Sequence, residues 1–285
     1  GINRLSIGLQ SGDNEELKLL GRIHTYEQFL KTYELARSVG FKNINIDIIS
    51  GLPYQTARKY GETLQKVIRL KPEHVSAYSL IIEKDTPFYE TYKFDAVRQE
   101  AGLPTEVLPS EDEVYKMNKI TQIVLKKAGY NQYEISNYAK RGFECRHNIG
   151  YWRRENYLGL GLGASSLVEN VRYSNTRELY KYIEGCDNIT DVGEDIFVAN
   201  IHEEANVINR QAHMEEFMFL GLRMNDGVYR NEFEKCFGLP IEAVYRDQLE
   251  ELKQEDLLEM REGRIYLTDK GMDLSNYAMA KFLMP

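Results

Sequence analysis

The sequence has little cysteine. Three residues in 285, Cys145, Cys186 and Cys236, lie far apart with no CxxC spacing. So sparse and odd a set argues against a disulfide framework and indicates a reducing environment. It also leaves this chain without the thiolates that a cysteine-ligated iron–sulfur cluster or a cysteine-rich zinc site requires.

Long apolar runs and an excess of basic residues are also missing. No run approaches the roughly 18 apolar residues of a membrane span, and no basic-then-apolar secretory signal opens the sequence. The longest run, YLGLGLGASSLV, is typical of a buried strand and turn. The formal net charge of −8 argues against a general polyanion binder. We therefore expect a cytoplasmic protein without a membrane span, and nucleic acid is a poor candidate partner.

Strands and helices alternate over the first 90 residues. The segments RLSIGLQ, NINIDII and HVSAYSL have the two-residue alternation of β-strands. Helical periodicity lies between them, and the first helix is opened by a capping box of Thr25 and Gln28 and closed by Gly40. This order predicts parallel βαβ units. Three parallel strands do not close a barrel, so we expect the second half of a partial (β/α) barrel.

One face of the predicted strands is unusually polar for a buried parallel sheet. It carries Ser6, Gln10, Asn45, Asp47 and Ser76. Buried polar groups without partners cost about 1–3 kcal/mol each, so a barrel lumen lined by these side chains needs a polar occupant. An open, solvated sheet face would show the same pattern, and the alternation alone leaves both interpretations open.

The remainder of the chain is predicted to be less regular at first and then helical. Residues 91–110 look like a charged connector, and Ser110 with Glu113 forms a capping box that opens a helix. An aromatic, Gly-rich stretch of short antiparallel strands follows. Helices, the hairpin segment LLEMREGRIYLTDKG and a last helix then give a winged-helix outline. We predict an α/β protein with three regions: a half-barrel, 1–97; an α+β connecting region, 98–202; and a winged-helix-like domain, 203–285.

Several ordered motifs carry a family resemblance. They are NRLSIGLQS, LLGRIHT, NINIDIISGLP, HVSAYSLIIEKDTP, GYNQYEISNYAKRGFECRHNIGYW, YLGLGLGAS and LTDKGMDLSN. Over nearly the whole chain the sequence resembles the radical SAM family of oxygen-independent coproporphyrinogen III oxidases and their haem-chaperone relatives (HemN and HemW). The HNxxYW arrangement, here His147, Asn148, Tyr151 and Trp152, is similar to the haem-chaperone branch.

The resemblance implies a binding site for S-adenosylmethionine. Family members use a Gln at the end of the fourth barrel strand, an Arg just beyond it and an Asp on the fifth strand, and Gln10, Arg22 and Asp47 occupy those places. Asp accepts hydrogen bonds from ribose hydroxyls, Gln reaches the ribose or the amino-acid end, and Arg pairs with the methionyl carboxylate. Two alternatives stay open: Arg22 as a solvated surface charge, and Asp47 as a helix cap.

The sequence departs from the family in lacking the CxxxCxxC motif that holds a [4Fe–4S] cluster and a Gly-rich strand end that contacts S-adenosylmethionine. The resemblance implies that both precede residue 1 in the complete protein, so we do not expect reductive cleavage of S-adenosylmethionine by this chain alone. Where the family often has GAHS, this chain has GASS, residues 163–166. The GLGLG run lacks a dinucleotide-site context and indicates close backbone packing.

The segment CRHNIGYW has two interpretations. Cys145 and His147 are too close in sequence for a tetrahedral metal site, and Tyr151 and Trp152 fit a packed core with His147 bonded to backbone. Imidazole is also a common axial haem ligand, and adjacent aromatics and an Arg suit a porphyrin and its propionates. The residues alone do not decide between packing and haem binding.

The leading prediction is a fragment of a radical SAM, oxidoreductase-like protein of porphyrin metabolism, of the haem-chaperone type, which binds haem or porphyrin and has a haem-accepting partner. The enzymatic alternative is the oxidative decarboxylation of coproporphyrinogen III to protoporphyrinogen IX. An alternative of another class is a winged-helix module for docking or nucleic acid, although LEELKQEDLLEM is acidic where a recognition helix needs basic residues. The open edge of the first strand predicts self-association.

Overall fold

The computed structural model describes residues 1–187 and 201–284. Backbone contacts divide the chain into two units, Gly1–Glu144 and Cys145–Pro285. The three predicted regions, 1–97, 98–202 and 203–285, stay a prediction. Residues 188–200 of the second region lie outside the described residues.

The first unit is built on a five-stranded sheet of order β1-β2-β3-β5-β4. The first three strands are parallel, as predicted, and β5 and β4 add an antiparallel edge that the sequence did not indicate. The strands are β1 Leu5–Gln10, β2 Ile44–Ser50, β3 His74–Ser79, β4 Asn131–Gln132 and β5 Asn137–Ala139. The helices are α1 Asn14–Leu19, α2 Tyr26–Ser38, α3 Ala57–Leu70, α4 Pro87–Glu100 and α5 Glu111–Lys127.

An apolar core lies between one face of this sheet and helices α2, α3 and α5. Leu9, Ile44, Ile46, Ile48 and Val75 are fully buried in it. Each such side chain stabilises the fold by about 1.5–3 kcal/mol, and the strand alternation then turns the polar residues to the opposite face. The sheet therefore presents its polar side away from the helices, as the sequence pattern predicts.

The predicted capping box at the start of α2 is confirmed. The backbone N–H of Gln28 donates to Oγ1 of Thr25 at 3.3 Å, and the N–H of Thr25 donates to Oε1 of Gln28 at 2.9 Å. The second predicted capping box, of Ser110 and Glu113, is formed only in part. Ser110 caps α5, but the Glu113 carboxylate accepts the backbone N–H of Ala57 at 2.8 Å, so it ties α5 to α3.

The connector predicted over residues 91–110 is wrong as far as Glu100, because those residues continue helix α4. Thr86 caps the helix and Pro87 occupies its first turn, where the missing N–H of proline costs nothing. The Asp95 carboxylate then accepts the backbone N–H groups of residues 106–108 and fixes the returning chain against α4. Helix α4 was not predicted because its segment is rich in charged residues and its apolar residues have only a weak helical periodicity.

The second unit contains two antiparallel sheets of three strands among its described residues, ordered β6-β7-β8 and β10-β11-β9. The strands are β6 Ser165–Val168, β7 Val171–Asn175, β8 His202–Val207, β9 Val228–Tyr229, β10 Leu258–Arg261 and β11 Arg264–Leu267. The helices are α6 Arg146–Trp152, α7 Leu179–Asp187, α8 Arg210–Gly221, α9 Arg230–Phe237, α10 Glu242–Gln254, α11 Asp269–Asp273 and α12 Ser275–Ala280.

The C-terminal part has the predicted order of helices, hairpin and last helix. Strands β10 and β11 form the expected hairpin, and the short strand β9 pairs with β11 as a third member. The winged-helix likeness itself stays a prediction. Within residues 1–187 and 201–284, no helix has the length and apolar character of a membrane span.

The segment YLGLGLG is not the buried strand that its composition suggests. Leu158, Leu160 and Leu162 are 63%, 82% and 45% exposed. The close backbone packing predicted for its glycines is confirmed at Gly159, where a Cβ would lie 2.3 Å from the carbonyl oxygen of Ser165. We call residues 158–163 the Gly-Leu loop.

Candidate functional site

The polar face of the first sheet gathers the predicted lumen residues. In the strand register Ser6 lies opposite Asn45, and Asp47 lies between Gly8 of β1 and Ser76 of β3. Because side chains alternate between the two faces of a sheet, these residues share the face opposite the apolar core. The structure therefore places Asp47 at the centre of a polar patch that spans three strands.

Gln10 ends β1 in a conformation that few side chains adopt. The strand has a bulge between Gly8 and Gln10, and Gln10 has φ 69°, in the left-handed region. Such a conformation costs about 1–3 kcal/mol in a residue other than glycine. A Cβ built on Gly8 would lie 2.6 Å from Nε2 of Gln10. The amide of Gln10 thus folds over Gly8, which is the residue opposite Asp47 in the register.

Asp47 is held by hydrogen bonds on both carboxylate oxygens. Asn45 donates from Nδ2 to Oδ1 of Asp47 at 2.6 Å, and the Ser6 hydroxyl donates to Oδ2 at 3.0 Å. The carboxylate is only partly buried, so it keeps acceptor capacity for a ligand hydroxyl. One contact comes from Ser6 on the neighbouring strand β1 and the other from Asn45 on the same strand, β2. Neither is a helix-capping bond, which argues against Asp47 as a cap.

A buried histidine orients the Asn45 amide. His74 is fully buried, with Nδ1 2.6 Å from Oδ1 of Asn45 and Nε2 2.9 Å from the Tyr133 hydroxyl. Burial, with a smaller contribution from Arg4, lowers the pKa of His74 from the ordinary 6.5 to about 3. A neutral imidazole donates from Nδ1 to Asn45 and accepts from Tyr133, so the Asn45 NH₂ group is directed toward Asp47. The sequence analysis missed His74 and Tyr133.

Arg22 lies in a loop that is anchored to the end of β1. The His24 ring donates from Nε2 to the carbonyl oxygen of Leu9 at 3.4 Å, and the Asn14 side chain accepts the backbone N–H of Tyr26 at 2.8 Å. The Arg22 side chain itself is exposed. The structure therefore brings Gln10 and Asp47 together and leaves the Arg22 guanidinium in solvent.

A buried carboxylate joins the loops that follow β1 and β2. Glu16 is 2% exposed; its Oε2 accepts the Ser11 hydroxyl at 2.5 Å and Nε2 of Gln55 at 2.8 Å. Gln55 in turn accepts the N–H of Gly51 at 2.9 Å. These bonds tie the backbone directly after Gln10 to the loop that follows β2. The sequence analysis missed the cluster, since Glu16 looks like any charged residue in the first turn of a helix.

The described residues do not fit an iron–sulfur cluster. Within residues 1–187 and 201–284, no group of three His, Cys, Asp or Glu side chains is placed to hold a metal ion. Cys145 is buried, and Cys186 and Cys236 are exposed. A cluster would need ligands from outside the described part of the chain.

The segment CRHNIGYW forms helix α6, which has two different faces. Trp152 packs under the guanidinium of Arg223, whose central carbon is 4.3 Å from the ring centroid. His147 is exposed, and the hydrogen bonds of the described residues do not include its imidazole. Trp152 is thus half-buried against Arg223 rather than a core residue. The backbone hydrogen bond that the packing interpretation expects of His147 is not formed.

A line of aromatic rings leads away from His147. Its ring makes an edge contact with Tyr151, with centroids 4.6 Å apart, and Tyr151 makes a perpendicular contact with Tyr157, also at 4.6 Å. Tyr157 directly precedes the Gly-Leu loop. The imidazole is thus exposed on one side and supported by aromatic rings on the other.

An ion triad centred on the buried carboxylate of Glu216 secures the end of α6. Glu216 accepts from Nε of Arg154 at 2.7 Å and from Nη1 of Arg172 at 2.9 Å. Burial pushes the pKa of Glu216 upward, but the hydrogen bonds from Arg172 and Arg154 outweigh it and hold the pKa below its ordinary value. The triad joins the segment after α6 to α8 and to β7, so α6 has a fixed position within its unit.

Comparisons with known proteins give consistent matches. A family model described as the radical SAM superfamily matches residues 1–67, and one described as the HemN C-terminal domain matches residues 208–274. A protein of Lactococcus lactis subsp. lactis (strain IL1403) named heme chaperone HemW is 38% identical over 283 residues, which cover 99% of this chain and 69% of that protein. The proteins of the same name from Bacillus subtilis (strain 168) and Escherichia coli (strain K12) are 33% and 32% identical, again over 99% of this chain and 70% and 69% of the relatives.

A solved structure supports the fold. Coproporphyrinogen III oxidase (HemN) from Escherichia coli, described as a radical SAM enzyme, superimposes with a TM-score of 0.75 at 22% identity. The match covers 100% of this chain and 64% of that one. At this identity the likeness shows a common fold and does not assign an activity.

Proposed function

This chain belongs to the HemW-like radical SAM proteins, and on that premise we propose that it is part of a haem chaperone. In its complete form the protein would bind haem, hold S-adenosylmethionine beside a [4Fe–4S] cluster, and deliver haem to an accepting protein. The names and identities of the relatives support this assignment. The geometry of the two candidate sites supports a role for particular residues.

The polar face of the first sheet suits the ribose and methionyl groups of S-adenosylmethionine. Asp47 presents a carboxylate already oriented by Ser6 and Asn45, and Gln10 supplies an amide folded over Gly8, where no Cβ obstructs a ligand. The exposed Arg22 extends from an anchored loop and would pair with the methionyl carboxylate. Bound beside a reduced cluster, S-adenosylmethionine supplies radical chemistry; the residues of this chain bind and orient it.

The observation that carries the haem assignment is the exposed imidazole of His147. An axial ligand needs an accessible ring nitrogen that is not engaged elsewhere. His147 meets this condition among the described residues, and the packing of Trp152 and the triad around Glu216 hold its helix in place.

A crossed binding experiment tests both halves of the proposal. Haemin is titrated into the chain and followed by visible absorbance, and S-adenosylmethionine is measured by equilibrium dialysis. We expect His147→Ala to lose the saturable Soret shift and keep S-adenosylmethionine, because His147 and Asp47 lie in different units. Asp47→Ala should show the reverse, a loss of about tenfold or more in S-adenosylmethionine affinity, since a hydrogen bond to a charged group contributes about 1.5–3 kcal/mol.

Each variant serves as the folding control for the other. His213→Gln removes a different imidazole of the second unit and tests whether the loss of haemin binding is specific to His147. Haemin binding that is equally weak in the wild type, His147→Ala and His213→Gln would refute the haem site. S-adenosylmethionine affinity unchanged in Asp47→Ala would refute the polar-face site. Turnover of coproporphyrinogen by the complete, cluster-loaded protein would favour the decarboxylase instead.

A further inference from the structure

We infer that the Gly-Leu loop is the surface on which the apolar face of a haem lies when His147 binds the iron. This inference rests on the haem-chaperone function proposed above. It adds a second contact surface, formed by residues 158–163 and Arg177, to which the sequence analysis gave no ligand role.

The loop exposes more apolar surface than a solvent-facing turn normally does. All three of its leucines are exposed, and Leu160 is 82% exposed. Apolar surface in water is unfavourable by about 25 cal/mol for each Å². A contiguous exposed apolar segment on a soluble protein is therefore a mark of a binding surface.

The loop is held rigidly, so the leucines are presented in fixed positions. Asn175, which is 3% exposed, donates from Nδ2 to the carbonyl oxygens of Gly159 at 3.1 Å and Gly161 at 2.8 Å. The N–H of Gly161 donates to the Tyr182 hydroxyl at 3.1 Å. A loop fixed by several partly buried hydrogen bonds loses little entropy when a ligand binds to it.

The loop is continuous with the exposed imidazole. The rings of His147, Tyr151 and Tyr157 are in successive contact at 4.6 Å, and Tyr157 is followed directly by Leu158. A haem whose iron is bound by His147 would therefore lie beside the Tyr151 ring, in the part of the unit from which the Gly-Leu loop begins.

A cation lies at the other end of the loop. A Cβ on Gly163 would be 3.4 Å from Cγ of Arg177, so the aliphatic part of Arg177 packs on this glycine and its charged end is exposed. An exposed guanidinium pairs well with a carboxylate. The imidazole, the exposed leucines and the guanidinium are thus joined by ring contacts, chain continuity and packing. In their chemistry they match the iron, the macrocycle and the propionates of haem.

Haem supplies a partner for each of the three groups: its iron for the imidazole, its macrocycle for the leucines and its propionates for the guanidinium. The experiment uses the intact chain with two probes, haemin and haemin dimethyl ester, whose propionates are esterified. We expect Leu160→Ser to weaken haemin binding by about tenfold, the effect of losing the burial of most of one leucine side chain, with the Soret maximum unchanged because His147 remains. Arg177→Gln should weaken haemin binding by about fivefold, the effect of losing one exposed ion pair, and leave the affinity for the ester unchanged.

Leu35→Ser is the matched control, because Leu35 is 62% exposed and lies in the first unit. Haemin affinities of Leu160→Ser equal to those of the wild type and Leu35→Ser, with a normal His147-dependent Soret shift, would overturn the inference and leave the proposed function intact. A change in sedimentation of Leu160→Ser without a change in haemin affinity would assign the loop to contacts between copies and also overturn it. Absence of the His147-dependent shift in the wild type would refute both.

Discussion

At the scale of single residues, the orientation of Asp47 depends on side chains that lie away from the ligand face. Tyr133 bonds His74, His74 bonds Asn45, and Asn45 bonds Asp47. Each bond fixes the next donor, because a neutral imidazole has one donor and one acceptor nitrogen. The ligand-facing carboxylate therefore depends on a histidine that is fully buried.

This burial predicts a dependence of stability on pH. His74 has a pKa of about 3 in the folded chain and about 6.5 when unfolded. Between these values the unfolded state binds more protons, so stability is fully present above about pH 6.5 and falls as the pH drops toward 3, by at most about 1.4 kcal/mol for each pH unit. We expect His74→Gln to lack this part of the acid dependence, measured by urea unfolding between pH 7.5 and 4.5.

Ser76→Ala is the control for that experiment, because it removes a neighbour of Asn45 without removing the titrating group. Its stability should change with pH as the wild type does. Curves of His74→Gln and the wild type that run parallel over this range would mean that His74 is not the buried base.

The sequence predicts the site residues unevenly. Alternation alone identified Ser6, Asn45 and Asp47 as one face, because side-chain direction in a strand follows from position. It could not identify Glu16 or His74 as buried, because their burial depends on contacts with residues distant in the chain.

At the scale of elements, helix α6 is a short helix whose stability comes from its surroundings. Seven residues are too few for a stable isolated helix, and no side chain caps its first turn. Arg223 over Trp152 and the triad around Glu216 supply the missing stability within the second unit. The segment CRHNIGYW has no helical periodicity, so no helix was predicted at α6.

The triad predicts a large effect of one substitution. Glu216→Ala leaves Arg154, whose side chain is 7% exposed, without a counter-charge. Removing one partner of a buried ion pair typically costs about 3–5 kcal/mol, and we expect a loss of that order in the free energy of unfolding, measured with urea. Glu232→Ala, at an exposed position, should change it by no more than about 0.5 kcal/mol. Equal effects of the two substitutions would show that the triad does not stabilise the unit.

Secondary structure was predictable where periodicity and caps agree. Helix α2 has both an apolar stripe and a capping box, and it was predicted closely. Helix α4 has almost no amphipathic periodicity and lies in a charged segment, so its cap at Thr86 was the remaining signal and was overlooked.

At the scale of the whole molecule, the order of motifs along the chain predicted the fold better than any single element did. Three parallel strands, their helices and the C-terminal hairpin follow the radical SAM and HemN-like pattern that the comparisons show. The two strands β4 and β5 were not predicted in the first sheet, because two and three residues are too short for a periodic signal.

The first strand leaves one side of that sheet open. Strand β1 is at the edge of the sheet order, and an open edge pairs readily with another chain. We expect the sedimenting mass to rise with concentration. Ser6→Pro should abolish the rise, because the N–H of Leu5 bonds toward β2, so the next N–H in the strand faces outward and proline removes it.

Ser6→Ala is the matched control, since it removes the same hydroxyl and keeps the N–H. It should associate as the wild type does. A wild-type chain that sediments as a monomer at all concentrations would contradict the prediction.

The left-handed backbone conformation of Gln10 opposes thermal stability to the binding of S-adenosylmethionine. Glycine would adopt this conformation without strain, so a variant chosen for thermal stability alone would lose the glutamine and with it the amide that reaches over Gly8. Conversely, a search for tighter S-adenosylmethionine binding would retain a position that weakens the fold. Directed evolution of this chain for heat resistance should therefore exclude Gln10 from its library, because improvement there would be obtained at the expense of the binding site.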